Sequence, residues 1–157
     1  MARTREKIKG RRDSGTFSKL IHAYFQSPEF AGLSPRAVKA LIDIYCQYRG
    51  NNNGDLCAAI SIMKARGWRS KDQLSKALKE LIEKGWLTIT RQGGRNMATL
   101  YAVTFMPIDE CHGKLDVMPT STPLHLWKRP GLIPVAAICL PRPAGQVAPP
   151  HGARIAA

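Results

Sequence analysis

The chain is poor in acid. Eleven Asp and Glu stand against 24 Lys and Arg in 157 residues, a formal net charge of +13. That balance disfavours a basic partner. It favours a polyanion, either nucleic acid or an anionic membrane surface, although basic charge also serves solubility alone. The four cysteines, Cys46, Cys57, Cys111 and Cys139, contain no C-x-x-C pair. Free thiols are therefore expected rather than a zinc or disulfide framework. No apolar run approaches the roughly 18 residues needed to span a bilayer, and the apolar stretch 131–141 is broken by Pro134. The charged N-terminus lacks an apolar h-region, so no signal peptide and a cytoplasmic location are expected. No internal repeat is present.

Catalytic patterns are missing too. There is no Walker-type lysine loop. Gly93-Gly94 lies between two strand-like runs, not between a strand and a helix, so it does not read as a phosphate cradle. Cys111-His112 sits beside Asp109 and Glu110, but adjacent residues lack metal-ligand spacing and no second ligand pair is near. A Cys-His nucleophile pair there has no supporting signature. His22 lies among apolar residues and reads as a helix residue. The sequence thus predicts no enzyme, no cofactor, no metal, no membrane partner and no small-molecule substrate.

What is present begins with a 44% hydrophobic fraction, enough for one domain plus tails. The organising stretch is 67–105. Ser70 with Gln73 three residues on gives the S-x-x-Q capping box. Leu74, Leu78, Leu81 and Ile82 then make one apolar stripe at helical spacing, with Asp72, Gln73, Lys76, Lys79 and Glu83 on the other side. Lys84 and Gly85 end the helix. Period-two alternation follows: Trp86, Thr88 and Thr90 on one side, Leu87, Ile89 and Arg91 on the other. Residues 92–96 supply a turn that tolerates positive φ. In 98–105, Leu100, Ala102 and Thr104 oppose Thr99, Tyr101, Val103 and Phe105. The hairpin tip carries Arg91 and Arg95 and no acid.

Upstream, residues 1–15 hold six basic residues and almost nothing apolar, which predicts a disordered arm, either a solvated tail or an arm that follows the phosphate backbone or enters a minor groove. Phe17, Leu20, Ile21, Tyr24 and Phe25 predict an accessory helix within 16–32, ended by Ser27-Pro28. It either packs on the domain or forms a homodimer contact. Ser34-Pro35 opens the next helix as N-cap and N1, with Val38, Leu41, Ile42, Tyr45 and Tyr48 on its core face. Residues 51–55 form a loop whose asparagines read as exposed. Residues 57–66 read as a further helix, with Leu56, Ala59, Ile60 and Met63 inward. Trp68 reads as a packing anchor in the turn. Arg69 lies beside the positive end of the 70–84 helix, an arrangement suited to a phosphate. Prolines forbid long elements in 107–128, but its apolar residues suffice to pack it on the core. Residues 129–157, rich in Pro and Ala, read as a disordered tail.

Helix-turn-helix, then Lys84-Gly85-Trp86-Leu87, then a basic hairpin resembles the winged helix-turn-helix DNA-binding domains of prokaryotic and phage regulators and replication initiators. The resemblance covers 33–105 within a domain at 33–106. It implies a mainly α fold with a three-helix core, a small antiparallel hairpin and an accessory N-terminal helix. It also implies a short strand near 55–57 that joins the hairpin. Residues 70–84 would be the recognition helix and 91–96 the wing. The partner implied is double-stranded DNA, with Ser70, Lys71, Gln73 and Lys76 toward the major groove and Gln73 able to read adenine. Lys71, Lys76, Lys79 and Arg69 would hold phosphates, and Arg91, Arg95 and Asn96 would lie against the backbone or in the minor groove. The role implied is a small transcriptional regulator, with a plasmid- or phage-type replication initiator or accessory protein, or a winged protein-interaction module, as alternatives.

Overall fold

The computed structural model describes residues 18–129. The arm 1–15, Phe17 and the tail from 130 lie outside the described residues. The element order is α1 (His22–Phe25), α2 (Pro28–Ala31), α3 (Pro35–Tyr45), β1 (Leu56–Cys57), α4 (Ile60–Lys64), α5 (Lys71–Glu83), β2 (Leu87–Arg91) and β3 (Leu100–Val103). The strands form one antiparallel sheet in the order β1-β3-β2.

This corrects the mainly α expectation. Five helices and a three-stranded antiparallel sheet, 38% helical and 12% strand, make the described part mixed α/β and not a three-helix core with a hairpin. Two physical reasons account for it. The helices are shorter than their apolar spacing suggests. Ser27-Pro28, expected to end the accessory helix, does so but also N-caps α2, with Ser27 Oγ accepting from Phe30 N at 3.2 Å. The 57–66 helix shrinks to five residues because Leu56 and Cys57 are taken by the sheet and Ala59 is extended. The sheet, in turn, is a larger part of the core than a wing would be.

Both faces of the sheet are covered. Leu87, Tyr101 and Val103 face α3 and α5, in a core with Leu41, Ile44, Leu81 and Trp86. Leu100 and Ala102 face the other way, against Ile108, Cys111, Leu115 and Val117 of the segment 107–128. That segment is a strap over what would otherwise be an exposed sheet face. The alternation expected for 98–105 matches this division.

α5 forms where its sequence signals place it. Ser70 Oγ accepts from Gln73 N at 3.4 Å, while the Gln73 side chain makes no return bond among the described residues, so half of the capping box is realised. Leu74, Ala77, Leu78 and Leu81 are buried. At the far end Trp86 N donates to Leu81 O at 2.8 Å and Gly85 N to Ile82 O at 3.0 Å, the Schellman pattern. Gly85 takes φ +74°, and a Cβ there would lie 2.6 Å from the carbonyl carbon of Leu126. Glycine is needed both for the backbone turn and for the approach of the strap.

Glu80 fastens α5 to α3. Its carboxylate accepts from Ser34 N at 2.9 Å and from Ser34 Oγ at 2.5 Å, and pairs with Lys84 Nζ at 2.8 Å. Burial alone would raise its pKa. The hydrogen bonds from Lys84 and Ser34, with the Lys84 charge, outweigh that and bring it down to about 2.

The asparagines of the 51–55 loop are not uniformly exposed, contrary to the sequence expectation. Asn53 is fully buried. Its Oδ1 accepts from Val103 N at 2.8 Å, and its Nδ2 donates to Val103 O at 3.0 Å and Pro107 O at 2.7 Å. Asn52 supplies turn chemistry, with Oδ1 accepting from Arg49 N.

Two outcomes follow for chemical and pH denaturation. Asn53→Ala leaves buried backbone groups unpaired and should cost roughly 2–4 kcal/mol. A midpoint within error of the parent would contradict the clamp. A carboxylate with a depressed pKa gives stability that is complete above the ordinary carboxylate range of about 4.3 and is lost as pH falls towards its folded value. Glu80→Gln should therefore begin less stable by about 1–3 kcal/mol and lose part of the parent's decline between roughly pH 5 and 2. An unchanged acid limb would contradict the assignment.

Candidate nucleic-acid interface

The turn ahead of α5 is built rigidly. Gly67 adopts φ +87°, and Trp68 N donates to Met63 O at 3.1 Å. The Trp68 ring is buried and its Nε1 donates to Asp43 Oδ2 at 2.8 Å. Lys39 Nζ meets the same carboxylate at 2.6 Å, donates to Arg66 O at 2.8 Å and lies 5.2 Å from the Trp68 ring centroid. Trp68 is thus the inter-helix anchor expected from its position. Lys39 and Arg66, which joins Asp43 at 3.8 Å, are committed to that joint.

Beyond the joint, Arg69, Lys71, Gln73, Lys76 and Lys79 are all exposed, with Ser70 half-buried as the cap. They share one side of the molecule only loosely. At about 100° per residue, Lys71 and Gln73 lie on opposite shoulders of the helix, about 160° apart. Asp72, Lys76, Lys79 and Glu83 occupy the ridge between them. That ridge is charge-balanced: Lys76 meets Asp72 at 2.9 Å and Lys79 meets Glu83 at 3.8 Å. These pairs are well exposed and each contributes only a few tenths of a kcal/mol by the usual measure of i,i+4 pairs. Both lysines remain available to a phosphate.

The hairpin differs from its sequence reading in two ways. The register slips between Ile89 and Arg91, a bulge at Thr90. Pairing then puts Arg91 opposite Leu100, on the strap face, not with Leu87 and Ile89. Arg91 is half-buried and its Nη2 donates to Ala98 O at 3.2 Å, so it braces the hairpin instead of reaching outward. Second, neither glycine of the turn uses positive φ; Asn96 does, at +64°. Gly93 is required for closeness: a Cβ would lie 2.6 Å from both Thr99 N and Thr99 Oγ1. Arg95 and Asn96 form the exposed two-residue loop, closed by bonds in both directions between Gly94 and Met97 at 3.1 Å.

The strap holds the base of this tip. Asp116 Oδ2 accepts from Gln92 N at 3.0 Å, and Asp116 N donates to Thr90 O at 2.9 Å. Neither Asp116 nor Met97 stood out in the sequence, because a single acid in a proline-rich segment and a lone Met in a turn carry no periodic signal.

Residues 18–32 pack within the chain. Tyr24 meets Phe105, His125 and Trp127 at 5.5–5.8 Å between ring centroids, and Phe30 meets Trp86 at 5.6 Å. Leu20 and Ile21 are left exposed. The thiol of Cys111 is buried, and burial first, then the charges of Asp55 and Asp109, push its pKa up to about 11. It is therefore a protonated packing group at neutral pH, not an activated nucleophile. Among the described residues no group of three or more His, Cys, Asp or Glu is placed to hold a metal, and no helix is long and apolar enough to cross a membrane. Comparison with protein-family models, with curated proteins and with solved structures finds no match.

Gly93→Ala should displace Thr99 and loosen the tip. The expected signature is faster amide exchange at Gly94 and Met97, with the global unfolding midpoint lowered by no more than about 1–2 kcal/mol. Unchanged protection at both amides would refute the close-approach argument.

Proposed function

We propose that this protein binds double-stranded DNA, with α5 and its preceding turn toward the major groove and the 91–96 hairpin against the backbone or minor groove. The observation that carries the reading is the pairing of β1 with β3. It gives the order helix, strand, helix, helix, hairpin, with the strand between the helices joined to the hairpin sheet; in a mixed α/β fold, that order supports the resemblance to winged helix-turn-helix domains. Charge supports it. Residues 18–129 hold 16 of the 24 basic residues and nine of the 11 acids, a net of +7, and the arm adds six basic residues against two acids. Of the candidate contacts, Arg69, Lys71, Gln73, Lys76, Lys79, Arg95 and Asn96 are exposed; Arg91 serves the hairpin itself.

In this reading the protein is a cytoplasmic regulator of transcription, and a role at a plasmid or phage replication origin uses the same surface. Binding energy comes first from phosphates, so affinity falls steeply with salt. Gln73, on the shoulder of α5, is the candidate base reader.

The test is selection from randomised duplex DNA at near-physiological salt. An enriched motif is expected. Gln73→Ala should relax it at one position, worth about 1–3 kcal/mol, while Arg95→Ala and Lys76→Glu should weaken all sequences alike. No enrichment, together with a protein partner retained through high salt and through Lys76→Glu, would replace DNA binding with an interaction module.

A further inference from the structure

Met97 is the most exposed large hydrophobic side chain among the described residues, at 52%. It does not sit on a loose loop. Its N–H and carbonyl both pair with Gly94, Gly93 N donates to Thr99 Oγ1 at 3.1 Å, Arg91 reaches Ala98 O, and Asp116 grips Gln92 N. The backbone around Met97 is thus fixed before any partner arrives. Its neighbours name the partner's charge. Arg95 is exposed two residues away, residues 91–97 contain no acid, and the nearby carboxylate of Asp116 is engaged with a backbone N–H. A rigid, cationic tip carrying one exposed apolar side chain fits a polyanion that also offers an apolar interior.

We propose that Met97 is a wedge that enters the DNA minor groove beside Arg95 and opens a base step, bending the duplex. The proposal rests on the duplex-DNA reading above. Apolar side chains inserted between base steps unstack them and kink the helix, and flexible TA steps yield most easily. The long, unbranched Met side chain suits such a gap. Because the tip is fixed by the strap, little ordering of the backbone is left to be lost on insertion. Asp116 acts here as a positioning residue, through Gln92 and the hairpin base.

The experiment uses the full chain and short duplexes labelled at both ends, one with TA steps at its centre and one with GC steps, read by energy transfer and by binding across a salt series. The parent should shorten the end-to-end distance of the TA duplex more than that of the GC duplex. Met97→Ala should lose the bend and about fivefold to tenfold in affinity for the TA duplex while keeping the parent's salt slope, since no phosphate contact is removed. Met97→Leu should restore the bend. Arg95→Ala should instead lower the salt slope by about one. A parent that binds without bending, or Met97→Ala that bends like the parent, overturns the wedge and leaves DNA binding intact. A parent that fails to bind either duplex, or any selected one, overturns both. Since the Met97 side chain is exposed, Met97→Ala should keep the parent's unfolding midpoint.

Discussion

A two-residue strand cannot hold a sheet in register by its own ladder, and β1 has only Leu56 and Cys57. Two amide side chains complete it. Asn53 lies on the β1 side of β3 and exchanges hydrogen bonds with both the N–H and the carbonyl of Val103, as a strand residue would. On the outer edge of β1, Gln47 does the same with Cys57, Oε1 accepting from its N–H at 3.0 Å and Nε2 donating to its carbonyl at 2.8 Å. One amide lengthens the sheet and the other closes its edge, where unpaired backbone groups would invite another chain. Since Asn53 is fully buried and reaches Pro107 O as well, it also fixes where the strap departs. The strap then covers the second sheet face and returns to Gly85 at the end of α5. The spacing between α5 and the hairpin tip thus depends on a chain of contacts that begins at one buried amide.

The strap resolves a physical difficulty of small basic domains. A sheet with one exposed face leaves apolar side chains in water or must replace them with polar ones. Here Leu100 and Ala102 stay apolar because Ile108, Leu115 and Val117 cover them. The cost is backbone polarity inside a proline-rich segment, and side chains meet it: Thr120 Oγ1 accepts from Ile108 N at 2.9 Å, and Asp109 Oδ2 accepts from Asn53 N at 2.7 Å. Residues Cys111, His112 and Gly113 all take positive φ, at 49°, 55° and 72°. Two of these are not glycine, a conformation costing roughly 1–2 kcal/mol per residue, so the packing of Cys111 and Leu115 must outweigh the strain.

The sequence carried α5 nearly whole. Its cap, stripe and glycine stop are local signals, each set by residues within four positions of one another. The same holds for the alternation along β3 and for Trp68 in its turn. The short strand near 55–57 was expected through family resemblance, not through pattern. What could not be read depends on distant partners. Ser34 and Glu80 are 46 residues apart, and Asn53 and Val103 are 50 apart. A polar residue waiting for such a partner looks like any loop residue. The bulge at Thr90 is subtler. One extra residue turns Arg91 to the strap face, and a perfect period-two reading has no way to foresee it. Exposure was therefore half legible: the solvent-facing residues of α5, Arg95 and Asn96 stand exposed as their positions suggest, Arg91 turns to the strap face, and the exposed Met97 and the Asp116–Gln92 bond left no sequence signal.

The balance of charge along α5 bears on how such a helix would read DNA. An exposed ridge of Asp72, Lys76, Lys79 and Glu83 offers no net attraction, so the middle of the helix is not where long-range attraction begins. Around the helix, unbalanced positive charge lies at its start, in Arg69 and Lys71; Arg95 adds more at the hairpin tip, and the arm carries six basic residues against two acids. Docking led by those groups would bring the ridge to the groove already oriented. There Lys76 and Lys79 would exchange weak, solvated carboxylate partners for phosphates at small cost, while Asp72 and Glu83 would penalise approaches that press them against the backbone. On this view the acids are not a defect in a DNA-binding face. Under the proposed duplex-DNA reading they would narrow the set of orientations in which the lysines serve, and would leave discrimination between sequences to the shoulder that carries Gln73.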